Sequence, residues 1–256
     1  MSAGRKIAVA GATGRVGGHV VDVLRESGHE VAPISRSTGV DVITGEGLAE
    51  ALSGVECVID AATGPSPDQE EATRFFETAA RNLQEAGERA GVKRIVVVSI
   101  IGTDRFTAGY GAAKIAHERA SLAGPIPARI VRAAQFHEFI AQLVDWGREG
   151  EVSRVPEMRT QLVAARTVAE ALAAVTTDGA SISEIAGPRE ESLVEAARLL
   201  VARRGDPVRI EGVINPDDPD HELNVNGGLL PGPDATLAGP TFEEWLATSR
   251  STAGRP

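Results

Sequence analysis

A serine, a tyrosine and a lysine follow one strongly β-prone run with the spacing of a proton-transfer site. Ser99 lies in RIVVVSIIG (94–102), Tyr110 comes eleven residues later, and Lys114 four residues after that. Positions four apart share one face of a helix, and a neighbouring ammonium lowers the pKa of a phenol. We therefore predict that Tyr110 exchanges a proton with an alkoxide. Lys114 is predicted to lower the tyrosine pKa, and Ser99 to orient a carbonyl oxygen.

The sequence leaves open at which residue the helix that would carry this pair begins. The clearest helical pattern is AKIAHERASLAG (113–124), and Gly109 and Gly111 flank Tyr110, the only tyrosine of the chain. A helix that begins late would turn the tyrosine hydroxyl elsewhere.

Three glycines lie between an apolar run (6–11) and a helical pattern (17–28). Gly11 would permit a tight turn, Gly14 would let a diphosphate approach the main chain, and Gly17 would let the helix pack on the sheet. The free N–H groups and partial positive charge of the helix start would bind the anion. The predicted contacts of the loop are Gly11, Ala12, Thr13, Gly14, Arg15 and Val16.

The end of the second predicted strand favours a phosphorylated ribose. NAD sites place an acidic residue about 20 positions after the glycines. This chain has Arg36 there, between Ser35 and Ser37. A guanidinium and two hydroxyls suit a 2′-phosphate, and Arg15 could add a second positive charge. We predict NADP (NADPH) as the cofactor, with NAD possible; the alternative is that both arginines are solvated surface residues.

Apolar runs alternate with helical patterns along the first 136 residues, which predicts a parallel sheet covered on both faces. Pro33 would disturb a central strand, and the segment 37–47 is too short for a full third strand with its crossover helix. The fold class is therefore α/β, a Rossmann-type doubly wound parallel sheet with a rudimentary third strand, the second strand lying near the sheet edge. Asp41 and Val42 would then line the adenine pocket; the alternative for Asp41 is a turn residue.

The pattern changes after residue 136. Helices are predicted at 137–150, 167–179, 191–205 and 241–249, and strands at 183–187 and 206–213. The segment 215–240 is dense in Pro, Gly, Asn and Asp and is predicted to lack long regular structure. We expect a single domain over 1–256, with a Rossmann core over about 5–136 and a small C-terminal α/β substrate lobe over about 137–256.

Composition excludes several classes of function. The net charge of -10 argues against a nucleic-acid groove. No apolar run approaches the roughly 20 residues of a membrane span, and no signal peptide is recognised. Cys57 is the single cysteine and the five histidines lack ligand spacing, so we expect no metal and a cytoplasmic protein.

The segments GATGRVG, SRSTGVDVITGEGL, VVVSIIGTDR, YGAAKIAHE and RAAQFHEF together resemble the atypical short-chain dehydrogenase/reductase superfamily. The similarity is greatest to its NmrA-like NAD(P)-binding group, in the bacterial oxidoreductase-like branch. The resemblance implies a Rossmann-type core with a small substrate lobe. It also implies that Ala61, Ala62, Thr63, Ala134 and Phe136 lie along the cofactor, and Lys114 beside its ribose. Many relatives have two tyrosines where this chain has Tyr110 and Gly111.

The expected function is an NADPH-dependent oxidoreductase that acts on a small carbonyl or conjugated organic compound. Because the group that the chain resembles also includes non-catalytic redox sensors, a dinucleotide sensor with a protein partner is the alternative. A nucleotide-sugar epimerase or dehydratase is disfavoured, since such enzymes usually need a larger C-terminal lobe. A homodimer is a further expectation.

Overall fold

The computed structural model describes residues 4–177 and 179–248, and its first half alternates strands and helices in the predicted order. The elements are β1 (Lys6–Ala10), α1 (Arg15–Glu26), β2 (Glu30–Ile34), α2 (Leu48–Ala51), β3 (Cys57–Asp60), α3 (Gln69–Ala90), β4 (Arg94–Ile100), α4 (Gly109–Leu122) and β5 (Ala128–Ala133). Helix α4 begins at Gly109, four residues earlier than the clearest sequence pattern, so Tyr110 lies in its first turn.

The second half adds shorter elements. They are α5 (Phe139–Trp146), β6 (Arg148–Glu149), β7 (Val152–Pro156), β8 (Arg159–Thr160), α6 (Ala165–Thr177), β9 (Glu184–Ala186), β10 (Glu191–Ser192), α7 (Leu193–Arg204), β11 (Arg209–Val213), α8 (His221–Val225), β12 (Thr236–Leu237) and α9 (Phe242–Thr248). The sequence predicted neither the hairpin of β6 and β7 nor the strands β8, β10 and β12. The predicted helix over 137–150 is shorter because its end pairs as β6 with β7.

Seven parallel strands of the described chain form one sheet in the order β12-β9-β5-β4-β3-β1-β2. This order confirms the predicted Rossmann-type fold class. Strand β2 is the edge strand, which accommodates Pro33 because only one side of the strand must pair. No strand forms in the described residues between β2 and β3; a 3₁₀ turn at Arg36–Thr38 starts that connection. The last two strands of the sheet, β9 and β12, come from beyond residue 136.

Apolar side chains fill both faces of the sheet. Val20 and Leu24 of α1 and Leu172 of α6 pack on one face, and Leu52 and Leu83 pack on the other. A separate cluster joins α5, α7 and α9 around Ile140, Leu162, Leu193 and Phe242. Among the described residues, no helix is both long and apolar enough to cross a bilayer.

Helix α1 lies unusually close to β1, and Gly17 is the reason. A Cβ atom on Gly17 would lie 2.1 Å from the carbonyl oxygen of Gly11 and 3.2 Å from the Cα of Ala12. Both are main-chain atoms, which cannot swing aside. The close packing predicted for this glycine is confirmed, and it fixes where the N-terminus of α1 lies.

Gly17→Ala should lower the free energy of unfolding by about 3 kcal/mol or more, because the added methyl group overpacks two backbones. Gly18→Ala is the matched control, since its Cβ would meet only the Ala12 oxygen at 3.8 Å. That change should stabilise the helix by up to about 1 kcal/mol. Urea unfolding of both variants measures the difference, and equal stability of the two would contradict this account.

Candidate active site

The glycine loop closes against the loop that follows β3. Gly11 has a φ of 75°, which lies in the left-handed region. A Cβ there would lie 2.6 Å from the carbonyl oxygen of Ala61. Gly14 differs: its Cβ position meets only the Gly11 oxygen, at 3.2 Å. The loop is therefore tight on its inner side and open at Gly14, as a main chain that receives a ligand must be.

The start of α1 is left free for an anion. Gly14 is the N-cap residue and supplies no side-chain cap, and the first turn contains no acidic residue. Uncapped N–H groups and the helix dipole together favour a bound phosphate group. The residues present thus fit the diphosphate of a dinucleotide.

The two arginines predicted near the ribose have different surroundings. Arg36 is exposed, and no hydrogen bond or ion pair of its side chain is found among the described residues. It follows Ser35, whose Oγ lies 2.9 Å from the Oγ of Ser37. Arg15 instead donates a hydrogen bond of 2.9 Å to Oε1 of Gln142 in α5. Arg36 is therefore uncommitted, whereas Arg15 joins the glycine loop to the C-terminal lobe.

The predicted adenine-lining residues lie in a tight turn after the 3₁₀ segment. Oδ1 of Asp41 accepts a hydrogen bond of 2.7 Å from the Ile43 amide, which is the turn role left open by the sequence. Val42 is buried, and its carbonyl oxygen accepts a hydrogen bond of 2.8 Å from Nδ2 of Asn82. The amide of Asn82 in α3 thereby fixes this turn.

The remaining cofactor-lining predictions follow the ends of β3 and β5. Because parallel strands end at one edge of a sheet, these residues share the edge at which the glycine loop lies. The Ala61 amide donates to Ala10, and Thr63 is exposed. Ala134 is buried, and Phe136 forms an isolated bridge with Val163.

Tyr110 and Lys114 do not form the coupled pair that their spacing predicts. The tyrosine ring is half-buried and packs edge-on against Phe76, with centroids 5.8 Å apart. Burial raises the pKa of Tyr110 to about 12. The prediction that Lys114 lowers this pKa is therefore wrong for this arrangement. Ser99 is 2% exposed, and its Oγ has no hydrogen-bond partner among the described residues.

Lys114 is held inside the protein by hydrogen bonds that involve His117 and Asp60, neither of which was predicted as a site residue. Its Nζ donates a 2.7 Å hydrogen bond to the carbonyl oxygen of Val98 and lies 2.9 Å from Nδ1 of His117. The other ring nitrogen of His117 lies 2.9 Å from Oδ2 of Asp60. Two signals were present in the sequence: His117 is three residues after Lys114 on one helix, and Asp60 ends a strand at the ligand edge.

The segment 215–240 is tied to the start of α4 by Asp220. The buried carboxylate accepts hydrogen bonds from the Thr107 amide (2.8 Å), the Thr107 hydroxyl (2.7 Å) and the Ala108 amide (3.0 Å). Ala108 is the N-cap residue of α4 and provides no side-chain cap of its own. Asp220 therefore caps the helix of Tyr110 from a distant part of the chain.

Comparisons with known proteins agree with this geometry. Residues 11–178 match the family described as NAD(P)H-binding. A 3-beta-hydroxysteroid dehydrogenase from Mycolicibacterium neoaurum is 32% identical over 112 residues, which are 36% of this chain and 31% of the relative. The alignment thus spans about a third of the length of that curated relative.

Solved structures resemble nearly the whole chain. MoeE5 in complex with UDP-glucose and NAD is 20% identical, with a TM-score of 0.67 over 95% of this chain and 96% of its own. The dTDP-4-dehydrorhamnose reductase from Bacillus anthracis in complex with NADP is 17% identical, with a TM-score of 0.70 over 95% and 98%. At these identities the likeness shows the fold. The match covers nearly all of both chains, so MoeE5, which was solved with UDP-glucose, has no large additional lobe.

Asp220→Ala should lower the free energy of unfolding at pH 7 by about 1–3 kcal/mol, because three donors lose a charged acceptor. Burial raises the pKa of Asp220, but the bonds from Thr107 and Ala108 outweigh burial and leave it below the ordinary value. The carboxylate thus stabilises the fold above the unfolded-state pKa, and this stability is lost as the pH falls through the folded-state pKa. Denaturant unfolding should show that Asp220→Ala lowers the free energy of unfolding less at pH 3 than at pH 7. The exposed Asp217→Ala is the control, and an unchanged difference at pH 3 contradicts this role.

Proposed function

Because the chain belongs to the NAD(P)H-binding family, we propose that it is an NADP(H)-dependent oxidoreductase that reduces a small carbonyl or conjugated organic compound. The observation that carries the proposal is the combination of an uncapped, glycine-lined start of α1 with an unpaired Arg36 at the end of the edge strand. The first feature suits a diphosphate, and the second suits the additional phosphate of NADP.

The order of the strands supports this placement. β1 lies between β2 and β3. The chain therefore continues from β1 to a strand on one side of it, and then crosses to a strand on its other side. Ligands of open α/β sheets bind in the crevice at such a switch point. Gly11 and Ala61 lie against each other at this point, and Arg36 follows the strand next to β1. Diphosphate and ribose contacts thus come from neighbouring strand ends.

The chain's own residues would then manage the proton. The nicotinamide, when bound, supplies the hydride. A raised pKa keeps the Tyr110 hydroxyl protonated at neutral pH, which is the form that can donate to a developing alkoxide. Ser99 is closed off from solvent, so it contacts a substrate oxygen only if nearby residues move. Lys114 is not free to hold the ribose while its ammonium binds Val98 and His117.

The relatives guide the choice of a substrate panel. The steroid dehydrogenase relative makes a cyclic ketone a rational member of a substrate panel. The UDP-glucose of MoeE5 makes a nucleotide sugar another member. Quinones and aldehydes complete the panel.

One observation favours a second function, a non-catalytic dinucleotide sensor. Tyr110 packs on Phe76, and the only cause found for its altered pKa is burial, with no contribution from a charged neighbour. A phenol without an ionic partner is a weaker acid than the proposed reaction prefers. The sensor would be favoured if the protein binds NADPH but turns over no panel member, and if Tyr110→Phe does not weaken NADPH binding.

Arg36→Ala should weaken NADPH binding at least tenfold, or about 1.4 kcal/mol, and leave NADH binding unchanged. The reason is that only NADPH carries the 2′-phosphate that the guanidinium would bind. Titration of cofactor fluorescence measures both constants. Arg25→Ala is the control, because this exposed arginine lies in the last turn of α1, at the end of the helix away from the glycine loop. Tenfold tighter binding of NADH than of NADPH by the unaltered protein would refute the NADP preference.

Tyr110→Phe should lower turnover of a reactive panel member by about a hundredfold, the usual contribution of a positioned proton donor. The NADPH dissociation constant should change less than twofold, because the ring and its packing on Phe76 are kept. Steady-state rates with a saturating cofactor measure the effect. Undiminished turnover would remove Tyr110 from the mechanism.

A further inference from the structure

A continuous series of hydrogen bonds crosses the protein interior from the loop after β3 to strand β4. It begins at the Ala62 amide, which donates to Oδ1 of Asp60 at 3.0 Å. It continues through Oδ2 of Asp60 to His117 and from His117 to Lys114, each step at 2.9 Å. It ends at the carbonyl oxygen of Val98, 2.7 Å from the lysine nitrogen. The chain thus joins the loop after β3 to the strand that carries Ser99.

The three ionisable side chains are sealed from solvent. Asp60 and His117 are each 1% exposed, and Lys114 is 5% exposed. Phe76 of α3 covers them: its ring stacks on the imidazole with centroids 4.6 Å apart, and the lysine nitrogen lies 4.5 Å from its centroid. The contacts with Val98, His117 and the aromatic face account for the three N–H groups of an ammonium.

With Lys114 charged, one distribution of protons satisfies every contact in this series. An ammonium has only donors, so Nδ1 of His117 must accept from Lys114. The ring proton then lies on Nε2 and is donated to the Asp60 carboxylate. A doubly protonated ring would direct an N–H at the ammonium, which has no lone pair. The favoured state is therefore charged Lys114, neutral His117 and charged Asp60.

The surrounding charges agree with this assignment. Burial lowers the pKa of Lys114 to about 8, while Asp60 from β3 and Glu118 from the same helix act to raise it. Burial and the Lys114 charge likewise lower the pKa of His117. Arg132 of β5 donates two hydrogen bonds to Glu118, so that carboxylate is largely neutralised. Phe76, which faces the lysine from α3, carries no charge.

A buried ion pair is seldom the most stable choice for a core, because desolvation offsets the attraction between the charges. The buried charges here also lie between the loop after β3 and strand β4, which both reach the edge of the sheet where the proposed cofactor crevice lies. We propose that Asp60 and His117 are positioning residues that hold the Lys114 ammonium at the floor of that crevice, with His117 locked as the neutral Nε2–H tautomer. The crevice as a cofactor site rests on the proposed function, whereas the contacts of Lys114 with His117 and Val98 do not.

The chain's few lysines permit a direct test. Lys6, Lys93 and Lys114 are its only lysines, so lysine labelled with ¹³C and ¹⁵N gives three side-chain signals. The Lys114 signal should titrate with a midpoint near pH 8. A midpoint below about 7 would leave the amine uncharged at neutral pH and overturns the assignment of a positioned ammonium.

Variants separate positioning from packing. Asp60→Asn removes the carboxylate and should lower the Lys114 midpoint by about one pH unit. His117→Asn should retain the wild-type midpoint, because its Oδ1 can replace Nδ1 as the acceptor. His117→Leu, which fills the space without an acceptor, should lower it. A midpoint that is the same in all three variants refutes the assignment. His19→Gln on α1 is the control, and circular dichroism checks that each variant folds.

The unaltered protein provides a test that needs no variant to fold. Long-range ¹H–¹⁵N spectra of its five histidines should show His117 neutral at pH 7 with the proton on Nε2. A protonated ring or a proton on Nδ1 overturns the proposal.

Addition of NADP⁺ distinguishes this inference from the proposed function. Saturating NADP⁺ should shift the Lys114 signal more than those of Lys6 and Lys93. If the tryptophan fluorescence of the protein shows that NADP⁺ binds and the Lys114 signal does not shift, the lysine is not at the crevice and the proposal fails. If NADP⁺ does not bind, the proposed function fails, while the titration and the tautomer still decide whether Asp60 and His117 position Lys114.

Discussion

The close contact of two backbones at Gly11 and Gly17 sets the geometry of the whole cleft. With no Cβ on either residue, the start of α1 lies directly on the end of β1, and the turn at Gly11 lies against the carbonyl of Ala61. The uncapped amides of the helix, the strand end that carries Arg36 and the loop after β3 thereby share one edge of the sheet. Each feature of the proposed cofactor site depends on that contact, because a bulkier residue at Gly17 would displace the helix.

Features encoded locally could be predicted from the sequence. The glycine spacing indicated the turn between β1 and α1, although α1 begins at Arg15, two residues before the predicted helical pattern. Pro33 and the short segment after it indicated that β2 lies near the sheet edge, but the rudimentary third strand that was also predicted does not form in the part of the chain that the structure describes. Pairings between distant residues could not be predicted. Asp60 and His117 are 57 residues apart, and their pairing follows only from the tertiary structure, in which His117 of α4 reaches the end of β3. The hairpin of β6 and β7 was missed because β6 is two charged, exposed residues, Arg148 and Glu149, which carry no apolar pattern.

Tyr110 shows how a correct spacing can lead to a wrong electrostatic prediction. It does lie one helical turn before Lys114, since α4 starts at Gly109. Two residues on one face of a helix nevertheless interact only if neither side chain has a more favourable contact elsewhere. Here Phe76 of α3 packs against the tyrosine ring and also faces the ammonium, while His117 and Val98 accept the lysine's hydrogen bonds. Packing against Phe76 of the neighbouring helix α3 thus buries Tyr110, and burial raises its pKa.

The buried charges also bear on whether the protein is an enzyme or a sensor. A sensor must change when its cofactor binds, and the hydrogen bonds from Ala62 to Val98 connect a loop that is predicted to line the cofactor with the core of the sheet. A reductase would need the Lys114 ammonium held in place despite the cost of burial, and Asp60 and His117 are the residues proposed to hold it. The two functions therefore need the same arrangement and differ in what Tyr110 does. The raised tyrosine pKa preserves the proton that a reductase must donate, and it equally suits a phenol that only packs. Chemistry at that hydroxyl, rather than cofactor binding, separates the two functions.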